Sequence, residues 1–169
     1  MSAQKAKGRS AAAEDDVYDG LAESKGKSSF LFKGGKYHVE CTKCVLTPDS
    51  PTDPGYMDKW DFELSIRQGP EQDDGRAPDG RKFHHFVQIM RPGHPSYDKW
   101  KQIGIDEFKA IMLAFAVETR GSKRPDQDDF VNGNVAEISM APKTEVIKTG
   151  AKKGESIEKN DIKSWKPAA

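Results

Sequence analysis

The chain of 169 residues carries 27 Lys and Arg against 27 Asp and Glu, so its formal net charge is zero. That balance excludes no partner class, because binding depends on where charges lie rather than on their sum. At 32% charged and 35% hydrophobic residues it has the material for one modest core with polar tails, and it lacks the run of about 20 apolar residues that a membrane helix needs.

Residues 1–28 are mostly Ala, Ser, Gly, Lys, Asp and Glu. A stretch of that composition buries too little to offset its chain entropy, and it is expected to be a flexible arm, with the folded domain spanning 29–169. No apolar segment there resembles a secretory signal. Two cysteines three apart make no disulfide framework. Both features point to a soluble protein of a reducing cytoplasm.

The first strand is predicted over 36–46, "KYHVECTKCVL", which is rich in β-formers. Tyr37, Val39 and Cys41 share one face, but Cys44 falls out of phase. One extra residue near Thr42 and Lys43 restores the phase and brings Cys44 and Leu46 inward, which is a β-bulge. Two other readings attach to the C-x-x-C spacing. A zinc site needs four ligands, and the chain has no second C-x-x-C. A thiol redox pair should open a helix, and here the flanks are strand-like. Both cysteines are therefore expected to be small buried hydrophobes, with no metal and no cofactor.

The second strand, 59–69, alternates cleanly: Trp60, Phe62, Leu64 and Ile66 inward, Asp61, Glu63, Ser65 and Arg67 outward. "QGPEQDDGRAPDGR" is turn chemistry. The third strand, 81–91, places Phe83, His85, Val87 and Ile89 on one face and Lys82, His84, Phe86, Gln88 and Met90 on the other, with Arg81 and Arg91 at its ends. The inverted phase, exposing Phe83 and His85, is the alternative.

The loop "MRPGHPSYDKWKQ" then interleaves aromatic and basic residues, and Trp100 there either stacks on a ligand or caps the following helix. That helix is predicted over 103–118, with Ile105, Phe108, Ile111, Met112 and Phe115 at helical spacing and Asp106 and Glu107 in its first turn. A polar loop, 119–133, leads to a fourth strand over 134–147 and a fifth over 155–167. Their connection carries Lys148, Lys152 and Lys153.

Three strands, a helix and two strands is the order of the OB-fold, a five-stranded Greek-key β-barrel with a helix between strands three and four. A strand face offering a ring among cations and polar groups suits single-stranded nucleic acid, where bases stack and cations track phosphates. The candidate DNA-binding residues are Arg81, Lys82, His84, Phe86, Arg91, Tyr97, Trp100, Lys148, Lys152 and Lys153.

Catalytic signatures are absent: no G-x-S-x-G, P-loop, H-E-x-x-H or G-x-G-x-x-G occurs. His84 and His85 with Asp79 and His94 outline a metal-nuclease arrangement, but adjacent strand residues diverge. A protein-interaction module acting through the acidic stretches 71–74 and 126–129 is the main alternative, as an inhibitor or recruiter of a host enzyme.

Several stretches together carry a family resemblance: Phe32, Gly34, Gly35 and Tyr37 opening the first strand, then Trp60, Phe62 and Leu64. Gly104, Ile105, Phe108, Lys109 and Ile111 follow in the helix, then "DDFVNG" and the closing "NDIKSWKP". Over about residues 30–167 the chain resembles small phage-encoded single-stranded DNA-binding proteins of OB-fold type, found beside replication and recombination genes. The resemblance implies non-catalytic, sequence-tolerant binding of single-stranded DNA in the host cytoplasm, without cofactor or membrane. It leaves room for phage or host replication and recombination proteins as partners, and for a homo-oligomer. The chain ends "IKSWKPAA" and not in an acidic tip, so recruitment through such a tip is not expected.

Overall fold

The computed structural model describes residues 30–168; the expected arm over 1–28 lies outside them. The elements are β1 (Gly35–Thr47), β2 (Met57–Gln68), β3 (Lys82–Met90), α1 (Tyr97–Ala114), a 3-10 turn (Gln127–Phe130), β4 (Val135–Val146) and β5 (Ser156–Pro167). All five strands join one antiparallel sheet in the order β3-β2-β1-β4-β5.

The sheet is open: β3 and β5 are its edges, and no ladder joins them among the described residues. Its curl nevertheless brings side chains from the two edges together. The rings of His85 on β3 and Trp165 on β5 lie 5.2 Å apart, and Trp165 also meets Phe115 just past the end of α1. The helix packs across this seam, against both edge strands.

β1 changes neighbours along its length. Residues 35–40 pair with β4, whereas 38–47 pair with β2. The bulge expected near Thr42 is present: Cys41 stands opposite Leu64 and Lys43 opposite Glu63, so Thr42 is the extra residue. It falls just past the last β1–β4 pair, where the strand bends, and it leaves Tyr37, Val39, Cys41 and Cys44 all buried. Burial pushes the Cys41 thiol up to about 11 and the Cys44 thiol up to about 12. Beyond its pairs with β1, β4 has only β5 for a neighbour among the described residues, where residues 141–146 and their partners form a two-stranded ribbon.

The core lies between the sheet and the helix. Trp60 and Phe62 from β2 meet Phe108 from α1 and Phe130 from the 3-10 turn, with ring centroids 4.8 to 5.7 Å apart across the Trp60–Phe108, Phe62–Phe130, Trp60–Phe130 and Phe108–Phe130 pairs. Tilted and edge-on aromatic contacts of this kind add to the stabilisation from burial. A buried amide anchors the β2–β3 loop. The Gln72 side chain donates to the Tyr37 hydroxyl and the Pro70 carbonyl and accepts from the Lys33 N–H, so its polar atoms are satisfied out of water.

The helix differs from expectation. It begins at Tyr97, so Asp106 and Glu107 lie in its middle and Asp98 is the acid of its first turn. Its first turns project past the core and carry Asp98, Lys99, Lys101 and Gln102, which gives them no apolar periodicity to read. Ile105 is 49% exposed instead of buried, while Phe108, Ile111 and Met112 face inward and Phe115 is buried beyond the helix end. Ser65, expected outward, is buried at the end of the β2–β3 pairing. The loop over 119–133 contributes more than polar connection: Phe130 is fully buried, and the side-chain amides of Asn132 and Asn134 both donate to the Phe115 carbonyl beyond the helix end.

Gly104 sets how closely α1 approaches the sheet. A Cβ placed there would stand 2.5 Å from the Gln88 carbonyl oxygen of β3. Only a residue without a side chain lets the helix ride this near the edge strand.

Candidate nucleic-acid interface

The phase of β3 follows the first of the two expected alternatives. Val87 is buried and Phe83, His85 and Ile89 are half-buried, whereas Lys82, His84, Phe86 and Gln88 are exposed. Phe86 shows 66% of its surface, a large fraction for a ring in the middle of a strand. Its neighbour on the same face is the His84 imidazole, which lies nearly parallel to it at 6.2 Å and an interplanar angle of 17°. Two flat rings side by side on a strand offer adjacent stacking surfaces.

The cations around this platform are paired with carboxylates. Register sets Asp61 opposite Phe86 and Glu63 opposite His84. His84 Nδ1 meets the Asp61 carboxylate at 2.7 Å, and Lys82 Nζ reaches Glu63 at 3.3 Å. Glu63 also accepts the Thr42 hydroxyl at 2.8 Å. That bond, with Lys82 and His84, holds the Glu63 carboxyl below its ordinary range against the smaller opposing push of burial. The face therefore alternates in sign and carries little net charge, so attraction of phosphates across it is weak and stacking must dominate any affinity it has.

Arg91 has a structural engagement. Its guanidinium grips the buried Asp58 carboxylate with two bonds of 2.8 Å, and Arg124 approaches the same carboxylate at 3.7 Å. Burial pushes the Asp58 pKa up, but Arg91, the Asp49 N–H and Arg124 together outweigh this and hold it below its ordinary value. Arg81 sits 3.7 Å from Asp74.

Tyr97 and Trp100 lie on the first turns of α1, each with a lysine over its ring: Lys101 over Tyr97 at 5.0 Å and Lys99 over Trp100 at 4.9 Å. Trp100 does not enter the core; with Phe86 it lines a groove of about 540 Å³ between β3 and α1. Met57, Met90 and Ile103 complete the apolar part of that groove, and Glu107 and His94 supply polar groups. Met90 belongs to the strand face expected from the alternation, whereas Met57 and Ile103 were not singled out from sequence. Met57 and Ile103 come from elements whose start, in each case, lies earlier than the pattern suggests.

Lys148, Lys152 and Lys153 occupy the turn of the β4–β5 ribbon, exposed and without ion-pair partners among the described residues. The structure thus brings Lys82, His84, Phe86 and Trp100 to one region. It commits Arg91 to Asp58 and leaves the three lysines on a separate projection.

The histidines diverge as adjacent strand residues must: His84 turns to Asp61, while His85 Nε2 meets Glu107 of α1 at 2.5 Å. Among the described residues no three His, Cys, Asp or Glu side chains gather as metal ligands. Three of the six acidic groups of the interaction-module alternative are engaged internally. Asp126 and Asp129 cap the 3-10 turn reciprocally, and Asp74 accepts from the Arg76 N–H. No described helix is long and apolar enough to cross a membrane. No protein-family model matches the chain, and no curated protein sequence matches it.

Proposed function

We propose that this domain binds single-stranded DNA, non-catalytically and with little sequence preference, in phage DNA replication or recombination within the host cytoplasm. The observation that carries the reading is Phe86, a ring two-thirds exposed on β3, paired with the parallel His84 ring and bordered by the groove that Trp100 lines. Bases stack on such surfaces at about 1–3 kcal/mol each, whatever their identity. The strand order supports the same reading: β3-β2-β1-β4-β5 with a helix after β3 is the order of an OB-fold opened between β3 and β5, and OB-folds bind oligonucleotides on the face of strands two and three. The lysine-bearing ribbon turn would close over a bound strand as a flexible cationic arm.

The test is fluorescence anisotropy of a labelled oligo-dT and of its duplex, at low and moderate salt with chelator present. Preferential binding of the single strand, with a shallow salt slope, is expected. Phe86→Ala should cost about 1–3 kcal/mol, or roughly 5- to 150-fold in Kd. Absence of binding to either form would overturn the reading and turn attention to a protein partner. Unchanged affinity in a folded Phe86→Ala variant would remove that ring from the site.

A further inference from the structure

On the other flank of α1 lies a cleft of about 520 Å³, within the range of small-ligand sites. Its floor is apolar, formed by Trp60, Ile89, Phe108 and Met112. Its rim is cationic: Arg91, Lys109, Lys123 and Arg124 converge on it from just past β3, from α1 and from the turn over 119–125, and the carboxylate that faces them there is Asp58.

That carboxylate is spent. Arg91 holds it through both oxygens, the Asp49 N–H donates to it, and it sits out of water. Arg124 reaches it only at 3.7 Å. Lys109 donates to the Thr119 hydroxyl, a neutral group, and Lys123 has no ion-pair partner among the described residues. Glu118, Asp126 and Asp129 line the neighbouring smaller cleft together with Lys123 and Arg124, but none makes an ion pair with them, and Asp126 and Asp129 are tied to each other's backbone. Within the cleft lining, the Arg91–Asp58 pair cancels and Lys109, Lys123 and Arg124 carry no ion-paired carboxylate of their own beyond the 3.7 Å approach of Arg124 to Asp58, which leaves positive charge beside an apolar, partly aromatic floor, with the acids of the neighbouring cleft on its far side.

The geometry points to a second binding site here, one that takes a nucleotide unit: its phosphate on Lys109, Lys123 and Arg124, its flat apolar body in the cleft. Arg91 and Asp58, as a fixed pair, add no net charge to the rim. The source of the nucleotide unit is either a free mononucleotide or the phosphorylated end of a strand. The site lies on the opposite flank of α1 from the Phe86 groove: that groove uses Trp100, Ile103 and Glu107 of α1, this cleft uses Ile105, Phe108, Lys109 and Met112, and Met90 of β3 borders both. It stands whether or not the β3 face binds DNA.

The experiment is isothermal titration of the full chain at low salt with thymidine 5′-monophosphate and with thymidine, followed by 5′-phosphorylated and 5′-hydroxyl oligo-dT of one length. The monophosphate should bind at least about tenfold more tightly than the nucleoside. The Lys123→Ala/Arg124→Ala double variant should lose about tenfold in that affinity, and Lys109→Met, which keeps the aliphatic stem, should lose part of it. Thermal melts establish that each variant is folded. Preference for the phosphorylated oligonucleotide assigns the site to strand ends; equal oligonucleotide binding, with the monophosphate still bound, assigns it to a free nucleotide. The inference is overturned if thymidine and its monophosphate bind alike. It is equally overturned if the double variant binds undiminished, or if the monophosphate fails to bind and the 5′-phosphate makes no difference.

Discussion

Gly104→Ala sets two effects of opposite sign against each other. In an exposed helix interior, replacing Gly by Ala stabilises by about 1 kcal/mol through backbone entropy. At position 104 the new methyl would stand 2.5 Å from the Gln88 carbonyl oxygen, 3.6 Å from the Gln88 carbonyl carbon and 3.8 Å from Ile89 Cδ1. An unstrained carbon–oxygen contact needs about 3.3 Å, so the surfaces must part by most of an ångström. The obstacle is backbone within β3, which cannot rotate aside as a side-chain tip would. Helix α1 must withdraw, loosening Phe108, Ile111 and Met112 from the core. Overpacking of this kind costs about 1–3 kcal/mol, and set against the propensity gain of about 1 kcal/mol the net expectation is a loss of up to about 2 kcal/mol. Urea denaturation followed by tryptophan fluorescence reads this as a lowered midpoint at unchanged slope. A midpoint that rises, as propensity alone would make it, would show that the helix does not approach β3 this closely. Because Trp100 and Ile103 ride on the same helix, that result would also undo the groove described beside Phe86.

Other expectations concern the core, the buried ion pair and the platform. Thiols held near 11 and 12 are almost wholly protonated at pH 8, so a thiol-specific disulfide reagent should modify neither Cys41 nor Cys44 in the folded protein and both in denaturant; rapid modification under native conditions would contradict the buried bulge. Burial opposes ionisation of Asp58 but Arg91, the Asp49 N–H and Arg124 prevail, so its folded pKa lies below the ordinary 3.8. Its contribution is therefore present above that value and lost as pH falls through the folded one. Asp58→Asn should cost about 1–3 kcal/mol at neutral pH and flatten the acid limb of the stability profile below about pH 4; an unchanged acid limb in urea titrations across pH would remove Asp58 as its source. Phe86→Ala should change folding stability by less than about 0.5 kcal/mol, since the ring is mostly in water; a larger fall in the melting midpoint would mean that Phe86 packs rather than presents.

Strand phase was readable along the chain because β structure repeats every two residues and one face must be buried. Tyr37, Val39 and Cys41, then Cys44 one step out of phase, sufficed to place the bulge near Thr42 and Lys43, and the run from Trp60 to Ile66 declared its inner face. On β3 the alternation left two phases open, and only the packing of Val87 against the core decided that Phe86 faces out. The start of α1 was not readable, since its first turns leave the core and periodicity exists only where a face is buried. Nor was the fate of the platform's charges: Asp61 and Glu63 were visible as outward acids, but that they face Phe86 and His84 depends on the β2–β3 register and its loop. Arg91 looked like a surface cation until the fold set it against Asp58, 33 residues earlier in the chain. The cationic cleft lies furthest from any sequence pattern, because it draws on β2, β3, α1 and the 119–125 turn, and charges so far apart along the chain become neighbours only when the core has brought their elements together.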